Sequence, residues 1–305
     1  MSVLLASITA WSLLAAAPGV APEPAVPAGV QDPGIAATTE PLREEFPGGY
    51  IDWTSGAVSA WGTISSGERR GYQNSPQRRK VKAEAVARSR LAGILAEVRV
   101  DSSHGSPAEA AVDPNQLMRL AETAGITAKR EGRSENPEVE VSVSLHGEKG
   151  LAGLLDGGTP GPGAGPDSGE PADGEGGQAP TGIVIDARGS EARPSLFPRL
   201  IGPDGTEIWS RQKAAGPSCR EKGMASYARV SRAPVADDDV TERVKLLRTP
   251  MYARAGSSPI RIQAVGAAGN PTTDILLDAD GAAKLQSSPA GRRLLDDCRV
   301  LILLD

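Results

Sequence analysis

The chain has 305 residues, with 33 basic against 38 acidic side chains, a formal net charge of −5 and 3% aromatics. That balance offers no electrostatic footprint for nucleic acid, and no apolar run reaches the roughly 20 residues that an integral membrane span requires. Only two histidines, His104 and His146, occur, neither with a second His, Cys or paired carboxylate at metal-ligand spacing, so both read as surface residues and no metal or other cofactor is expected.

In chain order, residues 3–17 are apolar apart from scattered Ser and Thr and end in Ala15-Ala16-Ala17. This is the pattern of a secretory signal peptide, assigned to 1–21. No cysteine lies near it, so a lipid anchor on an N-terminal Cys is not expected. Residues 22–46, rich in Pro, Ala and acidic side chains and lacking apolar periodicity, read as a disordered tether.

An α+β domain is expected over 47–155, a mostly antiparallel sheet packed against one Ala-rich helix. Gly48 to Trp53 opens it, and the small and β-forming residues 57–64 read as a strand. Trp53 and Trp61 are the largest side chains available to fill the volume that a row of Ala leaves empty, or else to form a recognition surface. Ser75-Pro76 suits an N-cap followed by Pro at the first helical position. The helix itself is expected over 82–100, where Ala83, Ala87, Leu91 and Leu95 recur every four residues and Val86, Ile94 and Val98 widen the stripe. Arg78, Arg79 and Lys80 stand in its first turns, where the helix dipole disfavours positive charge; they read as a solvated face or a patch for an acidic partner.

Asp52-Trp53, the strand carrying Ala60-Trp61-Gly62, and the Ala-rich helix running into Val98-Arg99-Val100 together resemble the LPP-twenty lipoprotein family and the related N-terminal domain of flagellar assembly protein T. The resemblance covers about 48–147. It implies a bacterial envelope protein, associated with the outer membrane or the flagellum, whose partners are other envelope proteins or further copies of itself.

A second helix is predicted over 114–125, stopped by Gly125, and a strand over 138–145, where polar and apolar residues alternate. A short helix follows at 151–155. Residues 156–180 are Gly/Pro-rich and acidic with no Lys or Arg, the composition of a disordered insertion. Order resumes over 181–305 as a second α+β half, expected to share the sheet of the first. It has a buried strand at 181–189, an Asp204-Gly205 hairpin between 196–201 and 206–210, strands at 224–229, 259–267 and 299–305, and helices at 240–247 and 280–285. The "GIVIDARG" strand and the final "CRVLILLD" strand are similar to those of uncharacterised exported bacterial proteins.

Cys219 and Cys298 can form one bridge in an oxidising compartment, or remain two buried thiols. Asp186 and Arg188 are two apart and share a strand face, where they can pair. An enzymatic reading would need Asp186 and Arg188 to meet a second carboxylate such as Asp274 or Asp278. No Gly-rich phosphate loop, Gly-x-Ser-x-Gly elbow or HExxH motif occurs. The sequence therefore points to an exported, non-enzymatic envelope protein with a structural or assembly role. A periplasmic ligand- or glycan-binding module using Trp53, Trp61 and the basic loop is the alternative.

Overall fold

The structure is a computed structural model that describes residues 39–64, 75–131, 137–156, 179–214, 217–230 and 254–305, all within one compact unit, Ala36–Asp305. The signal peptide, most of the tether, the body of the 156–180 insertion and the helix expected at 240–247 lie outside the described residues. The fold is α+β, built on two sheets.

The first sheet is antiparallel with order β2-β3-β4-β6-β5, from β2 (Arg43–Phe46), β3 (Gly49–Asp52), β4 (Ala57–Gly62), β5 (Gly125–Glu131) and β6 (Pro137–Ser144). Across it lies α1 (Pro76–Ala96). Ser75 caps α1 by accepting from the Arg78 N–H, with Pro76 at the first turn. The Ala stripe has a specific purpose. A Cβ on Gly62 would fall 2.0 Å from the Ala83 carbonyl oxygen and 2.6 Å from the Ala87 nitrogen, so helix and strand meet backbone to backbone.

That close approach corrects the expected place of the tryptophans. Side chains alternate across a strand, and Gly62 faces α1, so Trp61 points to the opposite face, half-buried with its ring 6.3 Å from that of Tyr50. Trp53 is buried against Tyr227 from the other half, in an edge-to-face pair at 6.0 Å. Neither indole fills the space beside the Ala row; the helix closes it by moving in.

The helix begins earlier than its apolar stripe suggests and ends at Ala96. Val98, Arg99 and Val100 then run extended, with Val98 and Val100 buried. The carbonyls of Arg99 and Val100 accept from Leu196 and Phe197 across to the second half. β-branched residues in alternation outweigh helical continuation here.

The second helix, α2 (Pro114–Thr123), is held at its start by a reciprocal Asp113–Gln116 capping box. At its end Arg88 of α1 donates to the carbonyls of Ala121, Glu122 and Ala124 at 2.8, 2.6 and 3.0 Å. Arg88 also pairs with Glu84 at 2.7 Å, so one guanidinium ties two helices together. Gly125 is the first residue of β5 rather than a helix stop.

The second sheet has eight strands in the order β1-β10-β13-β7-β11-β12-β8-β9. They are β1 (Thr39–Pro41), β7 (Gly182–Asp186), β8 (Arg199–Ile201), β9 (Glu207–Trp209), β10 (Ala225–Val230), β11 (Pro259–Ala268), β12 (Asp274–Leu277) and β13 (Val300–Leu304). Strands β10, β13, β7 and β11 run parallel. β13 is buried along its whole length, the signature of a central strand covered on both faces. Among the described residues the remaining helices are α3 (Leu151–Leu155), α4 (Pro217–Lys222), α5 (Ala279–Ser287) and α6 (Pro289–Asp296).

Two expectations about organisation are corrected. Residues 39–46 are folded, not tether: β1 pairs with β10 and β2 with β3. Pro41 is compatible with this because β1 is an edge strand. The halves share a core rather than a sheet, since one contiguous set of buried side chains runs through both. At its first crossing, from β1 to β2, the chain passes between the sheets through one buried residue, Leu42, whose N–H donates to Thr54 Oγ1 at 2.8 Å and whose carbonyl accepts from Trp53 at 2.9 Å.

Candidate functional site

The parallel strands of the second sheet deliver their C-terminal ends to one place. Arg229 is the penultimate residue of β10, Leu304 ends β13 and Asp305 follows it, Ala187 follows β7, and Asn270 to Thr272 lie just beyond β11; all line a cleft of about 950 Å³. Crevices outside the carboxyl ends of parallel strands are the usual binding location in open α/β sheets. The opposite wall is Leu42, Arg43 and Glu44 from the first half, with Trp53 and Arg99.

Two of its arginines are engaged. Arg99 binds Glu44 with both terminal nitrogens, one at 3.0 Å, donates from Nε to the Pro194 carbonyl at 2.8 Å, and lies 5.4 Å from the Trp53 ring centre. Trp53 Nε1 donates to the same carboxylate at 3.2 Å. Burial pushes the Glu44 carboxyl up. The bond to Arg99 and its charge, the Trp53 N–H and the charge of Arg193 together outweigh burial and hold Glu44 below the usual carboxylate range. Arg43 pairs with Asp52 at 3.1 Å and lies over the Tyr50 ring at 4.7 Å.

Behind this wall Tyr227 is fully buried; its hydroxyl donates to the Ser195 carbonyl at 2.9 Å and accepts from the Ser195 N–H at 3.1 Å. Burial drives its pKa up to about 12, so it stays a neutral phenol.

Arg193 and Arg229 are exposed. Arg229 uses Nε on the Asp305 carbonyl at 3.0 Å. The Arg193 guanidinium makes no hydrogen bond or ion pair among the described residues, while its backbone N–H donates to Thr272 at 2.8 Å. Of the acids, Asp305 accepts from the Gly189 N–H at 2.7 Å, and Glu191 stands on the rim at a φ of 60°.

The residues singled out from sequence are not gathered into this cleft, Trp53 excepted. Trp61 lies on the outer face of the first sheet and Arg78, Arg79 and Lys80 on the first turn of α1. Asp186 and Arg188 pair with each other, Nε to Oδ1 at 2.8 Å. Burial raises Asp186, and the Arg188 bonds and charge outweigh it and lower it. Asp274 is held by Arg199 at 2.9 Å, and Asp278 caps α5 through the Gly281 N–H at 2.7 Å, so neither carboxylate serves Asp186 as a partner.

The cleft residues Glu44, Arg99, Arg193 and Arg229 went unrecognised in the sequence. The one usable signal was the charged residue between two buried valines at Val98-Arg99-Val100, which in extended form must face away from the core.

His104 binds Asp101 through Nδ1 at 3.2 Å. That pair lines a smaller hollow of about 480 Å³, where Arg211 stacks on Phe197 at 4.1 Å and pairs with Asp156. His146 is wedged between the left-handed Gly56 and Gly223, where any Cβ would come within 2.5 Å of its ring. Burial, then the charge of Arg254, pulls its pKa down to about 4. Arg254, itself lowered to about 10 by burial, donates to the carbonyls of Cys298, Lys222 and Gly223 and to Ser226 Oγ. Beside it Cys219 and Cys298 are joined in a disulfide with Cα atoms 5.1 Å apart.

No helix among the described residues is long and apolar enough to cross a membrane. No group of three or more His, Cys, Asp or Glu among them could hold a metal ion. In comparison with known proteins, residues 182–305 match the family described as Treponema pallidum Tp0624, second domain. No match is found among curated proteins. The matched span runs from the first residue of β7 to the end of β13 and carries the parallel strands beneath the cleft. The second half is therefore similar to a domain of a bacterial protein.

Proposed function

We propose that the chain is an exported, non-enzymatic protein of the bacterial envelope that acts as a structural or assembly factor through protein–protein contacts. The observation that carries this reading is the chemistry of the large cleft. Its half-buried carboxylate, Glu44, is locked in hydrogen bonds to Arg99 and Trp53, and Tyr227 behind the wall is bound to Ser195. A site arranged this way presents a fixed, charged binding surface and leaves no base poised against a nucleophile.

The export-like residues 1–21, the bacterial character of the matched second half and the likeness of 48–147 to the LPP-twenty and flagellar assembly protein T families support the compartment. A disulfide between Cys219 and Cys298 suits an oxidising one. Trp53 is 3% exposed and presents no open indole face on which a sugar could stack, which favours protein contacts over a glycan.

Cell fractionation with intact-mass measurement of the recovered protein tests the proposal. A form lacking about 20 residues in the periplasm or medium, crosslinked to envelope proteins, is expected; full-length protein confined to the cytosol would overturn it.

A further inference from the structure

We infer that the seam between the two halves carries an acid-operated latch. The His146 imidazole, seated between Gly56 of the first half and Gly223 of the second, holds residues 145–150 against α4 while neutral and releases them when it gains a proton. The inference concerns how the halves are joined and does not depend on the compartment or partners proposed above.

The seat is set by backbone on both sides. A built Cβ on Gly56 would fall 2.5 Å from His146 Cδ2, and one on Gly223 2.3 Å from Cε1. Both glycines are left-handed, with φ of 68° and 80°, a conformation that glycine adopts without strain. Beside the ring, the Gly147 N–H donates to the Arg220 carbonyl of α4 at 2.9 Å and the Leu145 N–H to the Gly56 carbonyl at 2.8 Å. The ring therefore stands where the link from β6 to α3 meets the second half.

That seat suits a neutral ring only. Neither ring nitrogen has a hydrogen-bond or ion-pair partner among the described residues. A protonated imidazole donates from both nitrogens, and a buried charge without an acceptor costs far more than a neutral group in the same place. The one charge that bears on the ring has the wrong sign. It is Arg254, which cannot withdraw, because its guanidinium donates to the carbonyls of Lys222, Gly223 and Cys298 and to Ser226 Oγ. The other charged groups around the seat supply no counter-ion. Arg220, Glu221 and Lys222 on α4, and Glu148 and Lys149 on the link, are exposed; Asp52, before the turn that carries Gly56, is taken by Arg43 and the Thr54 and Ser55 N–H groups. Burial, then Arg254, moves the ring from 6.5 when released to about 4 in its seat. The latch is therefore fully closed above about pH 6.5, weakens about tenfold per pH unit below it, and has lost about 300-fold by about pH 4.

The test uses the full chain and amide hydrogen–deuterium exchange read by mass spectrometry, corrected for the intrinsic effect of pH. Between about pH 7 and about pH 4.5, protection over 145–152 is expected to fall on the order of a hundredfold, with the centre of β6 better protected at both values. His146→Gln should keep most of its protection at the lower pH. His104→Gln, which changes the chain's other histidine at an exposed position, should lose it as the parent does. Unchanged protection in the parent, an equal loss in His146→Gln, or no loss in His104→Gln would overturn the inference. So would one common exchange rate for β6 and 145–152 at the lower pH, which would mean unfolding of the whole molecule. Thermal melting shows whether His146→Gln folds. If it does not, an NMR titration of the ring protons in His104→Gln, where His146 is the one imidazole left, decides. A ring that stays neutral down to about 4 supports the latch, and titration near 6.5 overturns it.

Discussion

Two glycines of the first half are expected to respond to the same substitution with opposite signs. In Gly62→Ala the new methyl would sit 2.0 Å from the Ala83 carbonyl oxygen and 2.6 Å from the Ala87 nitrogen. Both are backbone atoms in the middle of a helix and cannot rotate away. The helix must lift from β4 by more than 1 Å, loosening Ala83, Ala87 and Leu91, all fully buried. Overpacking of this kind costs about 1–3 kcal/mol, and contact with backbone on both sides puts Gly62→Ala near about 3 kcal/mol. Gly93 lies inside the same helix with nothing within 4 Å of a built Cβ. There Ala removes the conformational freedom of Gly from the unfolded chain and should stabilise by about 0.5–1 kcal/mol. Urea unfolding of the two variants beside the parent measures both. If Gly62→Ala unfolds at the parent's midpoint, α1 does not lie on β4 at backbone distance and the account of the Ala stripe is wrong.

Replacing both Cys219 and Cys298 by Ala opens a loop spanning 79 residues, and the chain-entropy model gives a loss of about 4.5 kcal/mol; an unchanged unfolding midpoint with and without reductant would show that the bridge contributes nothing. The His146 imidazole resists protonation in the fold until about pH 4, against 6.5 when free. Its contribution to stability is therefore complete above about pH 6.5 and falls away as pH drops towards 4, by up to about 3 kcal/mol. His146→Gln should flatten the pH dependence of the urea midpoint in that window, and identical slopes would refute the shift. Arg88→Met keeps the stem of the side chain and deletes the donors serving three carbonyls at the end of α2. We expect a loss of about 1–3 kcal/mol with faster amide exchange in α2, and unaltered exchange would mean water replaces the guanidinium without penalty.

Much of this architecture is written in local patterns. The four-residue recurrence of Ala83, Ala87, Leu91 and Leu95 marks the buried face of α1, the alternation from Val139 to Val143 marks β6, and the unbroken apolar run of β13 marks a strand covered on both sides. What sequence does not carry is distance between elements. A row of alanines is equally compatible with a bulky neighbour and with a near one, and only the contact of Gly62 with Ala83 decides for the second. β1 and β2 look like tether because Glu40-Pro41 and Arg43-Glu44-Glu45-Phe46 bury little of their own. Their order comes from partners, β10 being far away in sequence, with Thr39 opposite Val230. The cleft was illegible for the same reason, since Glu44, Arg99, Arg193 and Arg229 belong to four separate stretches. Each alone is an ordinary surface charge.

Leu42 sets a limit on how the cleft can move. The residue on one side of it, Pro41, is paired to the edge of the eight-stranded sheet, and the residue on the other, Arg43, belongs to the cleft wall. One buried residue is all that joins them. Widening the cleft by swinging out β2 would peel β1 from β10 and pull Leu42 from its pocket in the same movement. Opening the cleft along this wall therefore costs the β1–β10 pairing and the burial of Leu42 together.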